Sequence, residues 1–438
     1  MSAYFFSNDN IKIVFFSEIM EVFTVEENEI DLIKKLIDRK DCPDNERINY
    51  FRYLISKDSE PRNDIQQNIS VVNSLILHIS NDCNMKCKYC FADGGSYSSE
   101  PGFMSSEAAS KAVDFFYKRF NYINEIKFFG GEPLLNISVI KDTCEKITDL
   151  FLNKVIKKMP LFKVVTNGTL INDNIISVIN KYDIDITVSI DGPEAVHDSA
   201  RVKNNGSATY EVIEKNIMRL KQLTGGIQPR YLEVTYNASH EKSGMSVVDT
   251  IKFLIEKFNI LPEKINLSFV QTNEKSEYAI NDAGIKNIDY IKDVKNNINN
   301  NKEYYTHQKL NCMLRNYKNK TKTGVNVCMG GISWFSVFYN GDIYPCYMLS
   351  DKGKGYLMGN VFEENNRFFD ERSKWLSYNR YEMNKCNECF ANNLCSGCLG
   401  NNLFATGDAL QFSEKDCCAK REFYKEILLG IADKTFHI

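Results

Sequence analysis

The sequence has almost no charge excess: 54 lysines and arginines face 57 aspartates and glutamates, a formal net charge of −3. Without a basic surplus the chain lacks the electrostatic footprint that drives binding to nucleic acid or to an anionic membrane, so neither is expected as a partner. A secretory start is also missing, because MSAYFFSNDNIKIVFF has no basic stretch ahead of an apolar run and a small-residue cleavage site. Nor does any uncharged apolar run reach the length that spans a bilayer. A cytoplasmic location is the expectation. Thiols stay reduced there, so the 14 cysteines are not read as a disulfide framework, and their spacing becomes the main evidence for metal or catalysis. With 438 residues and 43% apolar content, the chain can bury two or three domain cores without such staples.

Residues 3–24 read as short β-prone pieces (AYFF, IKIVFF, EVFTV), followed by helical patterns at 26–39 and near 43–56. This makes residues 1–70 a small α+β unit, closed by the polar linker KDSEPRNDIQQN at 57–68. From residue 71 to about 300, strand and helix patterns alternate. Candidate strands are SLILHI (74–79), IKFF (126–129), FKVVT (162–166), IDITVSI (184–190), YLEVTY (231–236) and INLSFV (265–270). In the helical pattern at 105–120, Ala112, Phe115, Phe116 and Phe120 recur at three-to-four spacing behind Ser105. Six strands alternating with helices imply an α/β fold with a parallel sheet, as a partial or full β/α barrel or a doubly wound sheet. Residues 301–327 read as a connector that overlaps the Asn- and Lys-rich stretch 295–324. Residues 328–438 hold eight cysteines and few periodic elements before the closing helical pattern KREFYKEILLGIA, which suggests a loop-rich module organised by metal.

Right after the first candidate strand comes HISNDCNMKCKYCFADGG, with Cys83, Cys87 and Cys90. A [4Fe–4S] cube takes four cysteine ligands, so three thiolates leave one iron without a protein ligand and open to chemistry. Structural zinc wants four ligands, and no fourth cysteine lies nearby in the sequence, while His78 falls within the strand pattern SLILHI. GGEP (130–133), TNG (166–168) and SIDGP (189–193) follow the next three strands. All sit at C-terminal strand ends, the rim where parallel β/α folds gather ligands. In GGEP the glycines permit close backbone approach, and Glu132 is placed to accept from a ligand amine.

The CxxxCxxC spacing, with Tyr89 just before its last cysteine, resembles the signature of the radical S-adenosylmethionine superfamily. The resemblance implies a partial (β/α)6 TIM barrel over 71–300 with one catalytic [4Fe–4S] cluster. Its open iron would chelate S-adenosylmethionine, whose reductive cleavage gives a 5′-deoxyadenosyl radical. It further implies that Gly130, Gly131 and Glu132 line the methionine amino group. SIDGPEAVHDSAR is similar to the matching stretch of peptide-modifying members, and by that likeness Ser189, Asp191 and Arg201 hold the ribose or the carboxylate. His197 is read as a structural hydrogen-bonding residue.

The C-terminal thiols run Cys328, Cys346, then Cys386, Cys389, Cys395 and Cys398, then the pair Cys417 and Cys418. By spacing alone they suit two clusters or two zinc sites. The array, with NGDIYPC ahead of Cys346, resembles the SPASM domain of radical peptide maturases, although CSGC has two residues between its cysteines where that pattern has three. The likeness implies one auxiliary cluster on Cys328, Cys346 and Cys398 and another on Cys386, Cys389, Cys395 and Cys417. Cys417 is preferred to Cys418 because Arg421 follows it at the family-like offset. A fourth ligand for the first set is open between Cys312 and none. Cys42 and Cys144, both in helical patterns, are read as small buried apolar residues.

The functional expectation is a radical maturase that installs a thioether or carbon–carbon crosslink in a ribosomally made peptide. Its expected partners are a leader-bearing precursor and an electron donor such as flavodoxin or ferredoxin. Strands followed by helices in 1–70 match the order of a winged-helix-like leader-recognition element, which would bind by adding a strand to its sheet, and equally suit a generic helical cap. Formylglycine formation of the anaerobic sulfatase-maturase type is the second reading, and a non-catalytic metal scaffold the third. No general base and no oligomeric state are legible.

Overall fold

The computed structural model describes residues 2–56, 70–97, 99–272, 275–280, 289, 291, 294, 308–350, 355–364, 366–381 and 383–436. The sequence-predicted linker 57–68 and the first part of the Asn-rich stretch, 295–307, lie outside these residues.

The N-terminal unit is an antiparallel sheet of β1 (Ala3–Ser7), β2 (Lys12–Phe16) and β3 (Glu21–Thr24), followed by α1 (Glu27–Ile37) and α2 (Glu46–Ser56). The period-two alternation of β2 sends its side chains to two different cores. Val14 and Phe16 join Ile33, Leu36, Ile48, Phe51 and Leu54 in a core of the unit's own, while Ile13 and Phe15 enter the main core. The unit is therefore docked on the rest of the chain. Phe6 packs its ring edge on Phe390 with centroids 4.7 Å apart, and the Asn393 amide donates to the Ser17 carbonyl.

The six strands expected after residue 71 all form. They follow β4 (Val71–Val72) and are β5 (Ser74–Ser80), then, after α3 (Ser106–Arg119) and β6 (Tyr122–Ile123), β7 (Glu125–Gly130). Next come α4 (Ile137–Leu152), β8 (Leu161–Thr166), α5 (Asp173–Tyr182), β9 (Asp185–Ser189), α6 (Glu194–Ala200) and α7 (Tyr210–Leu223). The series closes with β10 (Tyr231–Tyr236), α8 (Ala238–Lys242), α9 (Val247–Phe258) and β11 (Ile265–Phe269). The six are mutually parallel and lie side by side in chain order. Ser105 caps α3 by accepting from the Ala108 amide at 3.0 Å, and Ala112, Phe115 and Phe116 turn its apolar stripe inward. Strands β7, β8, β9 and β10 each have one buried rank, such as Leu232, Val234 and Tyr236, that meets α3, α4, α5, α7 and α9 in one apolar core, whereas β5 is buried on both ranks. The opposite rank is polar, with Lys127, Lys163, Ser189 and Glu233.

The C-terminal region is more regular than its sequence suggests. After α10 (Gln308–Lys318), β12 (Trp334–Val337) pairs in parallel with β5, so the large sheet continues into it. Antiparallel β13 (Asp342–Tyr344) and β14 (Gly359–Asn360) extend the sheet to nine strands. Four helices follow: α11 (Arg367–Ser377), α12 (Asn384–Asn387), α13 (Leu399–Thr406) and α14 (Glu414–Ala432). Phe335, Val337, Phe368 and Trp375 belong to the main core, so apolar packing holds this region as well as any metal. Helix α10 anchors the N-terminal unit, since the Val22 amide donates to the Tyr317 hydroxyl at 3.0 Å. Among the described residues no helix is long and apolar enough to cross a membrane.

Because the N-terminal unit has its own core, Phe51→Ala should cost about 3–5 kcal/mol there, the price of truncating a buried phenylalanine. Hydrogen exchange should show β1–β3, α1 and α2 losing protection while β5–β10 keep theirs. Equal loss in both would mean that the two cores open as one.

Candidate functional site

The loops leaving β5, β7, β8 and β9 converge on one cavity. Its wall includes Cys83, Cys87 and Cys90 from the first loop, Gly130 and Gly131 from the second, Asn167 from the third, and Ser189 and Arg201 beyond them. The paired glycines are required by a contact within the chain. A Cβ on Gly130, whose φ is +134°, would lie 2.1 Å from the Ser80 carbonyl oxygen, and one on Gly131 would lie 2.3 Å from that of Asp82. The Gly131 amide donates to Ser80 and the Glu132 amide to Asp82, which seats the start of the cysteine loop on the end of β7.

Two of the expected cofactor-binding residues stand behind this wall. The Glu132 carboxylate is fully buried and accepts from the Leu134 amide (2.9 Å), the Thr166 hydroxyl (2.7 Å) and the Asn167 amide (2.7 Å). It ties GGEP to TNG instead of facing the cavity, and burial raises it to about 7 in spite of those donors. Asp191 is also fully buried. It accepts from the Tyr89 hydroxyl at 2.5 Å and from the Thr235 amide at 3.0 Å. Arg201 does line the cavity, and its guanidinium donates to Tyr89 at 2.9 Å while its Nε has no partner among the described residues. The aromatic of the cysteine motif is thus the bridge between Arg201 and Asp191. His197 accepts from the Asp191 amide (3.2 Å) and is held neutral, lowered to about 4 by burial, in keeping with its structural reading.

The thiols carry a shared local signature. Cys83 accepts from the amide two residues on, that of Met85 at 3.4 Å; Cys328 does so from Gly330 at 3.3 Å and Cys346 from Met348 at 3.5 Å. Cys389 takes the Ala391 amide in the same way. Such donors stabilise charge on sulfur. Burial opposes it, pushing Cys83 up to about 12 and Cys87 to about 11, the latter partly offset by Arg201. Among the described residues no three His, Cys, Asp or Glu side chains converge tightly enough for a single metal ion. The three thiols stand around a cavity, the arrangement a four-iron cube needs and a tetrahedral single-ion site does not. Three thiols, amides aimed at sulfur and a glycine-floored space beside them fit a cluster with a small ligand on it.

The C-terminal cysteines form two further groups. Cys386, Cys389, Cys395 and Cys417 line one cavity together with Arg421. Cys418, one step along α14, is exposed and bonds Glu414 and Arg421 instead. Cys328, Cys346 and Cys398 act on one another electrostatically and make the other group. Phe129, which lines the first cavity, packs on Tyr347, the residue after Cys346, with ring centroids 4.8 Å apart, so this group lies close to the first site. Cys144 is buried in α4 as expected, whereas Cys42 is half-buried and donates to the Leu32 carbonyl. Sequence reasoning did not single out Asn167, Tyr97, Thr235 or Glu233 in the wall. Only Asn167 carried a signal, through TNG at a strand end.

Residues 77–227 match the family described as the Radical SAM superfamily. The chain is 36% identical over 132 residues to an uncharacterized protein of Methanocaldococcus jannaschii, covering 30% of this chain and 43% of that one. It is 32% identical over 165 residues to the radical SAM cyclopropyl synthase TigE of Paramaledivibacter caminithermalis, covering 34% and 33%. It thus spans less than half the length of both. A cysteine-type anaerobic sulfatase-maturating enzyme of Clostridium perfringens is 25% identical over 337 residues, 72% of this chain and 85% of that one. Among solved structures, native anSMEcpe with bound AdoMet superposes with a TM-score of 0.64 at 20% identity, over 83% of this chain and 100% of that one. Streptococcus suis SuiB bound to precursor peptide SuiA does so with 0.55 at 15% identity, over 94% and 98%. These likenesses show the fold.

Beneath the cysteine loop, His78 is fully buried, stacked on Phe338 at 3.9 Å, with neither ring nitrogen bonded among the described residues. Burial lowers it to about 3, well under its unfolded value. The neutral ring therefore contributes stability that is complete above about pH 6.5 and lost as pH falls toward 3, by about 1.4 kcal/mol per unit. His78→Phe should remove that slope, so denaturant titrations at pH 6.5 and pH 5 should show the variant gaining about 2 kcal/mol on the wild type. A stability difference independent of pH would contradict this.

Proposed function

Since residues 77–227 constitute a radical SAM domain, we propose that the chain is a peptide-modifying radical enzyme that installs a thioether or carbon–carbon crosslink in a ribosomally made peptide. In this reading the six parallel strands are a partial (β/α)6 barrel, residues 328–438 are a SPASM-type domain, and the N-terminal unit receives a leader segment. The observation that carries it is the joining of three thiols and three further strand-end motifs in one cavity, with Cys346 following on from a wall where Phe129 packs on Tyr347.

Cys83, Cys87 and Cys90 would hold the catalytic [4Fe–4S] cluster, with Gly130, Gly131, Ser189 and Arg201 around S-adenosylmethionine. When bound and reduced, this pair supplies a 5′-deoxyadenosyl radical that takes a hydrogen atom from substrate. The protein's own part is positional. Glu132 fixes the second and third loops to each other, and Asp191 fixes Tyr89, which holds Arg201 at the wall. Tyr97 and Phe129 narrow the cavity toward the C-terminal thiols and keep bulk water from a reactive radical. A crosslink is a net two-electron oxidation of the peptide, so an electron acceptor is required. Cys328, Cys346 and Cys398 on one side, and Cys386, Cys389, Cys395 and Cys417 on the other, are where this chain would keep one.

Formylglycine formation on a sulfatase is the second reading, favoured by the long match to the Clostridium perfringens enzyme. The docked N-terminal unit, with its three-stranded sheet, favours the leader-bearing peptide. Anaerobically reconstituted, reduced protein should form 5′-deoxyadenosine from S-adenosylmethionine. Cys83→Ala should abolish this, whereas Cys389→Ala should retain part of it but lose product. Mass spectrometry of a small peptide encoded beside the enzyme and co-expressed with it should show the loss of two hydrogens. Cofactor cleavage persisting in Cys83→Ala would overturn the site assignment, and an unmodified peptide with an oxidised sulfatase would favour the second reading.

A further inference from the structure

The three-stranded N-terminal sheet has two edges, β1 and β3, and the chain treats them differently. Antiparallel strands bond to a given neighbour at every second residue, so the registers tell which backbone groups point out of each edge. The Val25 amide donates to the Lys12 carbonyl, which turns Glu21 and Phe23 toward β2 and leaves Met20, Val22 and Thr24 facing outward. Each of these three is already engaged. The Met20 carbonyl accepts from Lys320 at 2.8 Å, the Val22 amide donates to Tyr317 of α10 at 3.0 Å, and the Thr24 carbonyl accepts from Arg47. A strand added at β3 would have to displace all three side chains.

The β1 edge is different. The Asn8 amide donates to the Ile11 carbonyl, so Tyr4 and Phe6 bond to β2 while Ala3, Phe5 and Ser7 face outward. The outward amides and carbonyls have no partner among the described residues. The sequence AYFFS also has none of the devices that blunt an edge, with no proline, no charge and no break in its register. Its side chains hold it firmly in place. Phe5 packs against the core of the N-terminal unit, with the Lys34 ammonium 5.5 Å from its ring, and Phe6 packs on Phe390 from the other face. The Tyr4 hydroxyl donates to the carbonyl of Glu388, the residue before Cys389, so β1 runs beside the cavity of the four C-terminal thiols.

We infer that the edge of β1 receives the precursor peptide, as an extended segment that adds a fourth strand to the sheet, and that the edge of β3 is closed to it. The inference rests on the leader reading above and names where that reading acts. Main-chain hydrogen bonds to Ala3, Phe5 and Ser7 supply affinity, and the two faces of the sheet choose the side chains. On one face the new strand continues the aromatic surface of Tyr4, Phe6 and Phe390, so alternate residues of the bound segment are apolar.

The test uses the full-length protein and, as probe, the small peptide encoded beside it, synthesised with a fluorophore at its C-terminus. Ser7→Pro removes one outward amide and sets a ring in the path of the added strand, yet spares the bonds between β1 and β2, because an edge strand accepts proline where its N–H faces out. Fluorescence anisotropy should show binding weakened about tenfold or more in Ser7→Pro. The double change Arg47→Ala, Tyr317→Phe, which uncovers β3, should leave binding as it is. Hydrogen exchange of the wild type, which needs no variant, should slow in residues 3–7 when peptide is added and stay unchanged in 20–24. Slowing in 20–24 instead, tighter binding once β3 is uncovered, or undiminished binding by Ser7→Pro would each overturn the inference. So would exchange in 3–7 that slows with protein concentration alone, the mark of a second copy on this edge. Failure of the leader reading is distinct: the peptide would then change neither signal in the wild type, and the edge assignment would fall with it.

Discussion

The cysteine loop is held in place by a contact between backbones that leaves no room for a side chain. Gly130 and Gly131 lie against Ser80 and Asp82 so closely that a single Cβ at either would overlap a carbonyl oxygen. Overlaps of that size force backbone shifts that cost a few kcal/mol. Everything at the strand ends is built outward from this contact. The Glu132 amide joins the cysteine loop while its carboxylate holds the next loop through Thr166 and Asn167, and Asn167 reaches Asn84 at 2.9 Å. Two strand ends and the three-thiol loop thus form one braced unit.

Charge is the second constraint. Burial pushes Cys83 up to about 12 and Cys87 up to about 11, and Cys346 in the C-terminal group up to about 12. Metal binding must therefore displace protons, and the aimed amides and Arg201 lower the cost of doing so. The fold spends most of its other buried polar groups on orientation. Tyr89, Asp191, His197 and His240 form one connected set, in which His240 donates to the Asp191 carbonyl at 2.7 Å. Such sets specify a single arrangement of the wall.

Much of this was legible in the sequence where the pattern is local. The six parallel strands appear as short apolar or alternating runs, and Ser105 announces α3, because burial of one face writes a period into the residues. Cys417 is distinguished from Cys418 in the structure by helix phase: neighbours on α14 point about 100° apart, so one faces the cavity and the other solvent. The sequence hinted at that choice through Arg421 alone. Strands β12–β14 escaped notice because two to four residues carry too little period to register. Glu132 and Asp191 were recognised as residues of the site, but the direction of a side chain depends on partners such as Tyr89, 102 positions away from Asp191. Glu233 and Tyr97 had no motif to mark them.

The central claim is that ten thiols, arranged as three, three and four, hold iron–sulfur clusters at three places in one fold. Metal analysis with Mössbauer spectroscopy on anaerobically reconstituted protein tests it most directly. The account predicts about twelve irons per chain in three [4Fe–4S] clusters, and stoichiometric zinc or about four irons alone would contradict it.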